Sequence, residues 1–204
     1  TKYTQGEFEE ALIKCEDALA QSTDIEVSSL ICVLESEIYT EQEEYTKAAD
    51  SAIRVTKFDS SKDARRRAGS LAFEAGNHLE DTKEKNGWYE KARKYYETLC
   101  QDETCSYEDE MNYALVLQAL EQYSDSNVCL RKMREEYPDD YKVLMWMCYN
   151  YLGIGNQKGS MAEVESDLNF AYSSCKYLYS QDESMTGGSD EDMEKLNELM
   201  KQLE

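Results

Sequence analysis

The residues able to do chemistry are few and scattered. His78 is the only histidine among 204 residues. A zinc ligand or general base needs company, such as the second histidine and glutamate of H-E-x-x-H or a serine and an aspartate. None stands in such a pattern with it, so His78 reads as a polar residue at a helix end. Gly153-Ile154-Gly155-Asn156-Gln157-Lys158-Gly159 has the glycines of a phosphate cradle. It follows a helical pattern instead of a strand and lacks the closing Lys-Ser/Thr, so it is excluded as one. Carboxylates gather at Asp182-Glu183 and at Asp190–Asp192, yet none sits in the D-x-D-x-D-G frame that holds calcium. They read as solvated faces and helix N-terminal charge. The seven cysteines are Cys15, Cys32, Cys100, Cys105, Cys129, Cys148 and Cys175. The count is odd and most lie mid-helix among apolar neighbours, which suits buried thiols acting as small hydrophobes. Cys100 and Cys105 are the one close pair, and C-x4-C by itself is a weak frame. Arg65-Arg66-Arg67, near Lys62, is the one basic cluster, and pairing with the chain's own carboxylates is favoured over an acidic partner segment. No catalytic set emerges. The expectation is a protein that is not an enzyme and takes no metal or cofactor.

Bulk composition narrows the partners. Lys and Arg number 22 against 43 Asp and Glu, a net charge of −21. Nucleic acid needs clustered basic residues, so it is excluded as a partner, and anionic membrane surfaces are disfavoured. The longest apolar stretch, Val143–Ile154, is interrupted by Asn150 and falls well short of the ~20 residues that cross a bilayer; no direct membrane insertion is expected of this fragment. Free thiols favour a reducing compartment or an anaerobic source; a cytoplasmic location is expected, with the extracytoplasmic part of a membrane-anchored bacterial protein as the alternative. No secretory leader opens the chain. There is no initiator Met, and the sequence starts inside a structural unit, so it reads as a fragment or processed product.

Elements that position these residues are written in the periodicity. One proline and nine glycines, against average usages of about 5% and 7%, describe long helices joined by short links and exclude collagen-like, loop-dominated and many-stranded folds. A stripe at spacings of three, four and three recurs five times: Phe8–Ala11–Cys15–Ala18, Tyr45–Ala48–Ala52–Val55, Tyr89–Ala92–Tyr96–Leu99, Tyr123–Ser126–Leu130–Met133 and Leu168–Ala171–Cys175–Leu178. Each stripe lies on one helical face, and its small residue lets another helix approach. The small residues stand 37, 44, 34 and 45 positions apart, a base period near 34 with two lengthened units. Ahead of every stripe helix but the first lies a second amphipathic segment: Asp24–Thr40, Asp63–Leu79, Tyr107–Leu120 and Asp140–Leu152. Ser36, Ala72, Ala114 and Cys148 mark their closest packing. Gly6-Glu7 and Asn86-Gly87 are expected as turns before the first and third stripe helices. Extra residues at Glu80–Gly87 prolong helices, and Gly153–Ser160 is expected as a loop. Pro138 falls just after a stripe helix and ends it.

Paired helices at this period, a Tyr-x2-small second helix and a terminal proline resemble the tetratricopeptide repeat. Met111–Pro138 is the best match, with Tyr113-Ala114, Leu117, Tyr123, Ser126, Leu130 and Pro138 in register. Ser126 departs from the usual Ala, and no unit has the favoured Trp of the first helix. The stretch Met111–Cys148 also resembles repeat regions that bacterial serine/threonine kinases carry beyond their kinase domain. The resemblance implies an all-α, right-handed α-solenoid of antiparallel helix pairs over residues 1–180, about 4.5 repeats with the first truncated. A linker at 181–189 then leads to a C-terminal capping helix at 190–204, with Ser189 as N-cap and Met193, Leu196, Met200 and Leu203 as its apolar face.

Its implied function is a protein–protein interaction scaffold binding a peptide or helix in a concave groove. The alternative is the regulatory or sensor repeat region of a larger bacterial signalling protein such as a membrane serine/threonine kinase. Family geometry lines the groove with Val33, Glu37, Arg66, Phe73, Asn77, Met111, Leu115, Gln118, Met145 and Tyr149. For Leu115 and Met145 a core position is an equal reading. Glu37, Phe73, Leu115 and Tyr149 occupy the places where some relatives grip a terminal carboxylate, so that mode is not expected. The truncated first unit leaves an apolar face for upstream residues or a second copy to cover, which makes a homodimer through it a further expectation.

Overall fold

The structure, a computed structural model, describes residues 5–101, 105–181 and 190–203, with side chains from Glu7 onward. The described residues form ten helices and no strand: α1 Gln5–Gln21, α2 Ile25–Glu41, α3 Tyr45–Val55, α4 Lys62–Asn77, α5 Thr82–Cys100, α6 Tyr107–Ala119, α7 Tyr123–Glu136, α8 Tyr141–Lys158, α9 Glu165–Gln181 and α10 Glu191–Lys201. They group into two compact units, 1–109 and 110–204, divided within the first turn of α6. In unit 1 each helix packs on the next, α1 through α5. In unit 2, α8 packs on both α7 and α9, and α10 returns to α8. The architecture is a succession of helix pairs, with α2, α4, α6 and α8 as first helices and α3, α5, α7 and α9 as second helices.

Carboxylates start many of these helices. Asp24 accepts the Glu26 and Val27 N–H groups, Asp81 that of Glu84, Asp140 that of Lys142, and Asp190 those of Asp192 and Met193. Ser61 does the same for α4 through the Ala64 N–H. Each such cap is worth about 1 kcal/mol, so part of the acidic excess is structural. Ser189 lies outside the described residues, as do 182–188; the cap of α10 is Asp190.

Three of the four turns from first to second helix, all but α4–α5, share one geometry. Glu43, Glu121 and Gly159 adopt φ of 60°, 57° and 66°. The following N–H closes a six-residue turn in each case: Glu44 to Tyr39 O, Gln122 to Leu117 O and Ser160 to Gly155 O. This is the Schellman ending, which wants glycine in its left-handed position. Only the last of the three has it, so glycine counting does not find the other two.

Stripe residues form the core as their spacing predicts. Tyr89, Ala92, Tyr96 and Leu99 are all at most 3% exposed. Ala18 is the exception; it is exposed, and Leu12 and Leu19 share the inward face of α1 instead. Pro138 lies in the turn between α7 and α8, as expected. Two expected breaks are helical. Asn86-Gly87 lies inside α5, the turn having moved back to 78–81, and Gly6 lies inside α1. Gly153 and Gly155 lie within α8, which runs six residues past its expected end to Lys158. Their role is close packing: a Cβ on Gly153 would sit 2.5 Å from the Tyr123 ring, and one on Gly155 would strike Met161. Gly76 of α4 makes the same room for Tyr89. In α10, Met193, Leu196 and Met200 are buried as predicted, whereas Leu203 lies beyond the helix and is 49% exposed.

Candidate functional site

The first-helix faces carry the expected site residues, and the two units use them differently. In unit 1, α2 buries Ser28, Cys32, Glu35, Ser36 and Ile38. Glu35 is held inside by Arg54 Nη1 at 2.9 Å and the Ser51 hydroxyl at 3.5 Å, both from α3. Val33 packs against the Cys32–Val55–Ala64 cluster. A second apolar stripe points to solvent. Val27, Leu30 and Leu34, at spacings of three and four, are 44%, 69% and 47% exposed, and Ile25 before them is 63% exposed. Glu37 continues the stripe three residues on. It is exposed and accepts a hydrogen bond from Arg67 Nη1 of α4 at 3.4 Å. Glu37, Thr40 and Glu41 of α2 and Arg67, Ser70 and Leu71 of α4 line a cleft of about 310 Å³.

The remaining expected residues of unit 1 are engaged within it. Arg66 forks onto Asp109, Nε to Oδ1 and Nη2 to Oδ2, both at 2.8 Å, and its Nη1 reaches Asp63 at 2.6 Å. Asp109 is 2% exposed, and the Arg66 fork holds its carboxyl below the usual aspartate range. Phe73 is half-buried against the Tyr89 ring, 5.5 Å between centroids, and Asn77 Oδ1 accepts the Tyr89 hydroxyl at 2.9 Å. His78 caps α4, stacks on Tyr45 at 3.9 Å and meets Glu74 at 2.9 Å. That is the helix-end role its isolation implied.

In unit 2 the first-helix residues are turned inward. Met145 and Met111, expected in the groove, are 1% and 9% exposed and belong to the core. Leu115 is half-buried. Gln118 Nε2 donates to Asn150 Oδ1 at 2.9 Å, and Asn150 Nδ2 donates to Ser126 Oγ at 2.8 Å and Asn127 Oδ1 at 3.0 Å. Ser126 in turn donates to the Ala114 carbonyl at 2.8 Å. The serine that departs from the repeat pattern is thus the hinge of a buried network joining α6, α7 and α8. The Tyr149 hydroxyl donates to Asp192 O of α10 at 2.8 Å, and burial with the Asp192 and Asp190 charges nearby pushes its phenol up to about 12.

Sequence reasoning did not find the surface that unit 2 does expose. Phe170 and Tyr177 of α9 are 57% and 66% exposed, with the Arg134 guanidinium 5.5 Å from the Phe170 centroid. They stand seven residues apart, a helical signal that the inward stripe of α9 overshadowed. The Val27–Leu30–Leu34 spacing was equally legible beside the inward face of α2. Among the described residues no group of His, Cys, Asp and Glu could hold a metal ion, and no helix is long and apolar enough to cross a membrane.

No protein-family model matches the sequence, and no curated protein does. Among solved structures the chain is similar to "MamA MSR-1 C2", with 14% identity and a TM-score of 0.60 over 86% of this chain and 89% of that one. It is also similar to a tetratricopeptide repeat protein from Parabacteroides merdae ATCC 43184, with 20% identity and a TM-score of 0.49 over 97% of this chain and 78% of that one. The likeness is one of fold, an all-α succession of helix pairs.

Proposed function

We propose that this protein-interaction repeat scaffold takes a basic amphipathic helix on the first-helix face of unit 1. The observation that carries the reading is the exposed stripe Val27–Leu30–Leu34 running into Glu37. Single exposed apolar residues are ordinary, whereas a contiguous patch with a polar rim marks a docking surface. An amphipathic helix fits through its own i, i+3, i+4 anchors. Charge selects which helix. Glu26, Glu37 and Glu41 flank the stripe, and α2 contains no Lys or Arg. A basic partner is favoured both in encounter and in register. The same charge argues against a second copy joined through this face, which would set carboxylates against carboxylates. Within the reading, the Glu37–Arg67 cleft anchors one end of the helix, and α10 serves as the cap of unit 2.

The probe is a synthetic Leu/Lys amphipathic helix titrated into the whole chain by calorimetry. Replacing Leu30 and Leu34 together by Ser weakens binding at least tenfold while leaving Tm unchanged. Glu37→Gln weakens it severalfold and flattens its salt dependence. Binding that ignores all three substitutions contradicts the reading.

A further inference from the structure

Cys100 is the last residue of α5, and Cys105 stands one residue ahead of Ser106, whose hydroxyl accepts the Asp109 N–H. Their sulfurs lie 2.7 Å apart and both side chains are half-buried. A disulfide bond is ~2.05 Å long, so joining the two asks for roughly 0.7 Å of further approach. The other five thiols are placed differently. Cys15, Cys32, Cys148 and Cys175 are buried, and burial raises all four above the ordinary thiol range, Cys175 to about 12. Cys129 is half-buried, and partial desolvation with the Glu110 and Asp125 charges nearby pushes it up to about 11. The thiolate is the attacking species in disulfide exchange, so burial withdraws these five from exchange at neutral pH.

We propose that Cys100, at the end of α5, and Cys105, ahead of α6, form a reversible dithiol–disulfide modification site oxidised by a small-molecule disulfide. One of the two thiols gives its proton to solvent, and its thiolate attacks a sulfur of the reagent R–S–S–R. A protein–SR bond forms, the reagent's S–S bond breaks and RS⁻ leaves. The second protein thiolate then attacks the protein sulfur of that mixed disulfide, forming the Cys100–Cys105 bond and expelling the second RS⁻. The protein dithiol loses two electrons, the reagent gains them, and the two released protons convert both RS⁻ to thiols. The product pins the end of α5 to the residue before α6's capping serine. Asp109, in α6's first turn, is already held by Arg66.

The test equilibrates the whole chain in glutathione buffers from reducing to oxidising, alkylates the remaining thiols and maps the peptides by mass spectrometry. At the oxidising end five cysteines are alkylated and a linked Cys100–Cys105 peptide is found, and dithiothreitol restores all seven. Cys100→Ser traps Cys105 as a mixed disulfide carrying one glutathione, and Cys105→Ser does the same to Cys100, because the resolving thiol is gone. In urea the midpoint moves at least tenfold toward harder oxidation, since the fold no longer holds the sulfurs together. The proposal is overturned by seven alkylated cysteines at every ratio, by a disulfide mapped to another pair, or by equal midpoints in native and denatured chains.

Discussion

Two first helices, α2 of unit 1 and α8 of unit 2, carry a similar apolar load and place it oppositely. α8 turns Val143, Leu144, Met145 and Met147 into the core, and its Tyr149 is bonded to α10. α2 buries a narrower set and leaves Val27, Leu30 and Leu34 in water. One polar residue of each helix shows the same contrast, although α2 also buries Glu35 against Arg54. Asn150 of α8 is wholly buried in a hydrogen-bonded network, whereas Glu37 of α2 is exposed at a cleft. One repeat pattern thus builds a unit whose last first helix, α8, is covered and a unit whose first helix α2 keeps an open face. The difference lies in what covers the first helix, not in how the pairs are made: Glu43 in unit 1 and Glu121 in unit 2 make the same turn.

The largest expected effect breaks the closed side of this comparison. Asn150→Ala leaves Gln118, Ser126 and Asn127 without their shared partner in a buried site, where each orphaned group is expensive. Unit 2 should lose about 3 kcal/mol. Unit-resolved hydrogen exchange in urea should show the loss in unit 2 with unit 1 unchanged.

Arg66→Ala is the counterpart in unit 1 and should cost about 2 kcal/mol, because it strands the buried Asp109 carboxylate while Arg66 itself is only partly buried. It also changes the response to acid. The Asp109 pKa is lowered by folding, so its contribution is complete above the ordinary aspartate value near 4 and is lost as pH falls through the lower folded value. The variant should lose this acid-dependent decline in unit 1, measured as urea midpoints between pH 6 and the acid limit of the fold.

The smallest effect tests the shared turn. Glu43→Gly and Glu121→Gly should each stabilise the fold by about 0.5–1 kcal/mol, since glycine accepts the left-handed conformation without strain. Equal gains in the two units, read from denaturant midpoints, would sharpen the claim that the pairs are built alike.

Much of the fold was legible because helical spacing survives sequence drift. All five stripes fall on helices, and Pro138 ends the one expected. Turns were less legible where Glu43 and Glu121 stand in positions that advertise glycine. Gly153 and Gly155 misled in the opposite direction, because glycine can serve close packing as well as a turn. The site residues were the least legible. Family geometry places a residue on a face of its own helix, yet whether that face is covered depends on distant chain. Met145 is buried and Tyr149 is claimed by α10, a helix more than forty residues away in sequence. Leu30 and Leu34 stay open although their spacing is that of a core face.

The most direct test of the central claim is a hydrogen-exchange footprint of the whole chain with and without a saturating basic amphipathic peptide. The account predicts protection concentrated in α2 and at the Arg67–Leu71 side of the cleft, with unit 2 unchanged, and its disappearance in the Leu30→Ser/Leu34→Ser variant. Protection confined to α9 around Phe170 and Tyr177, or a footprint indifferent to that double substitution, would contradict it.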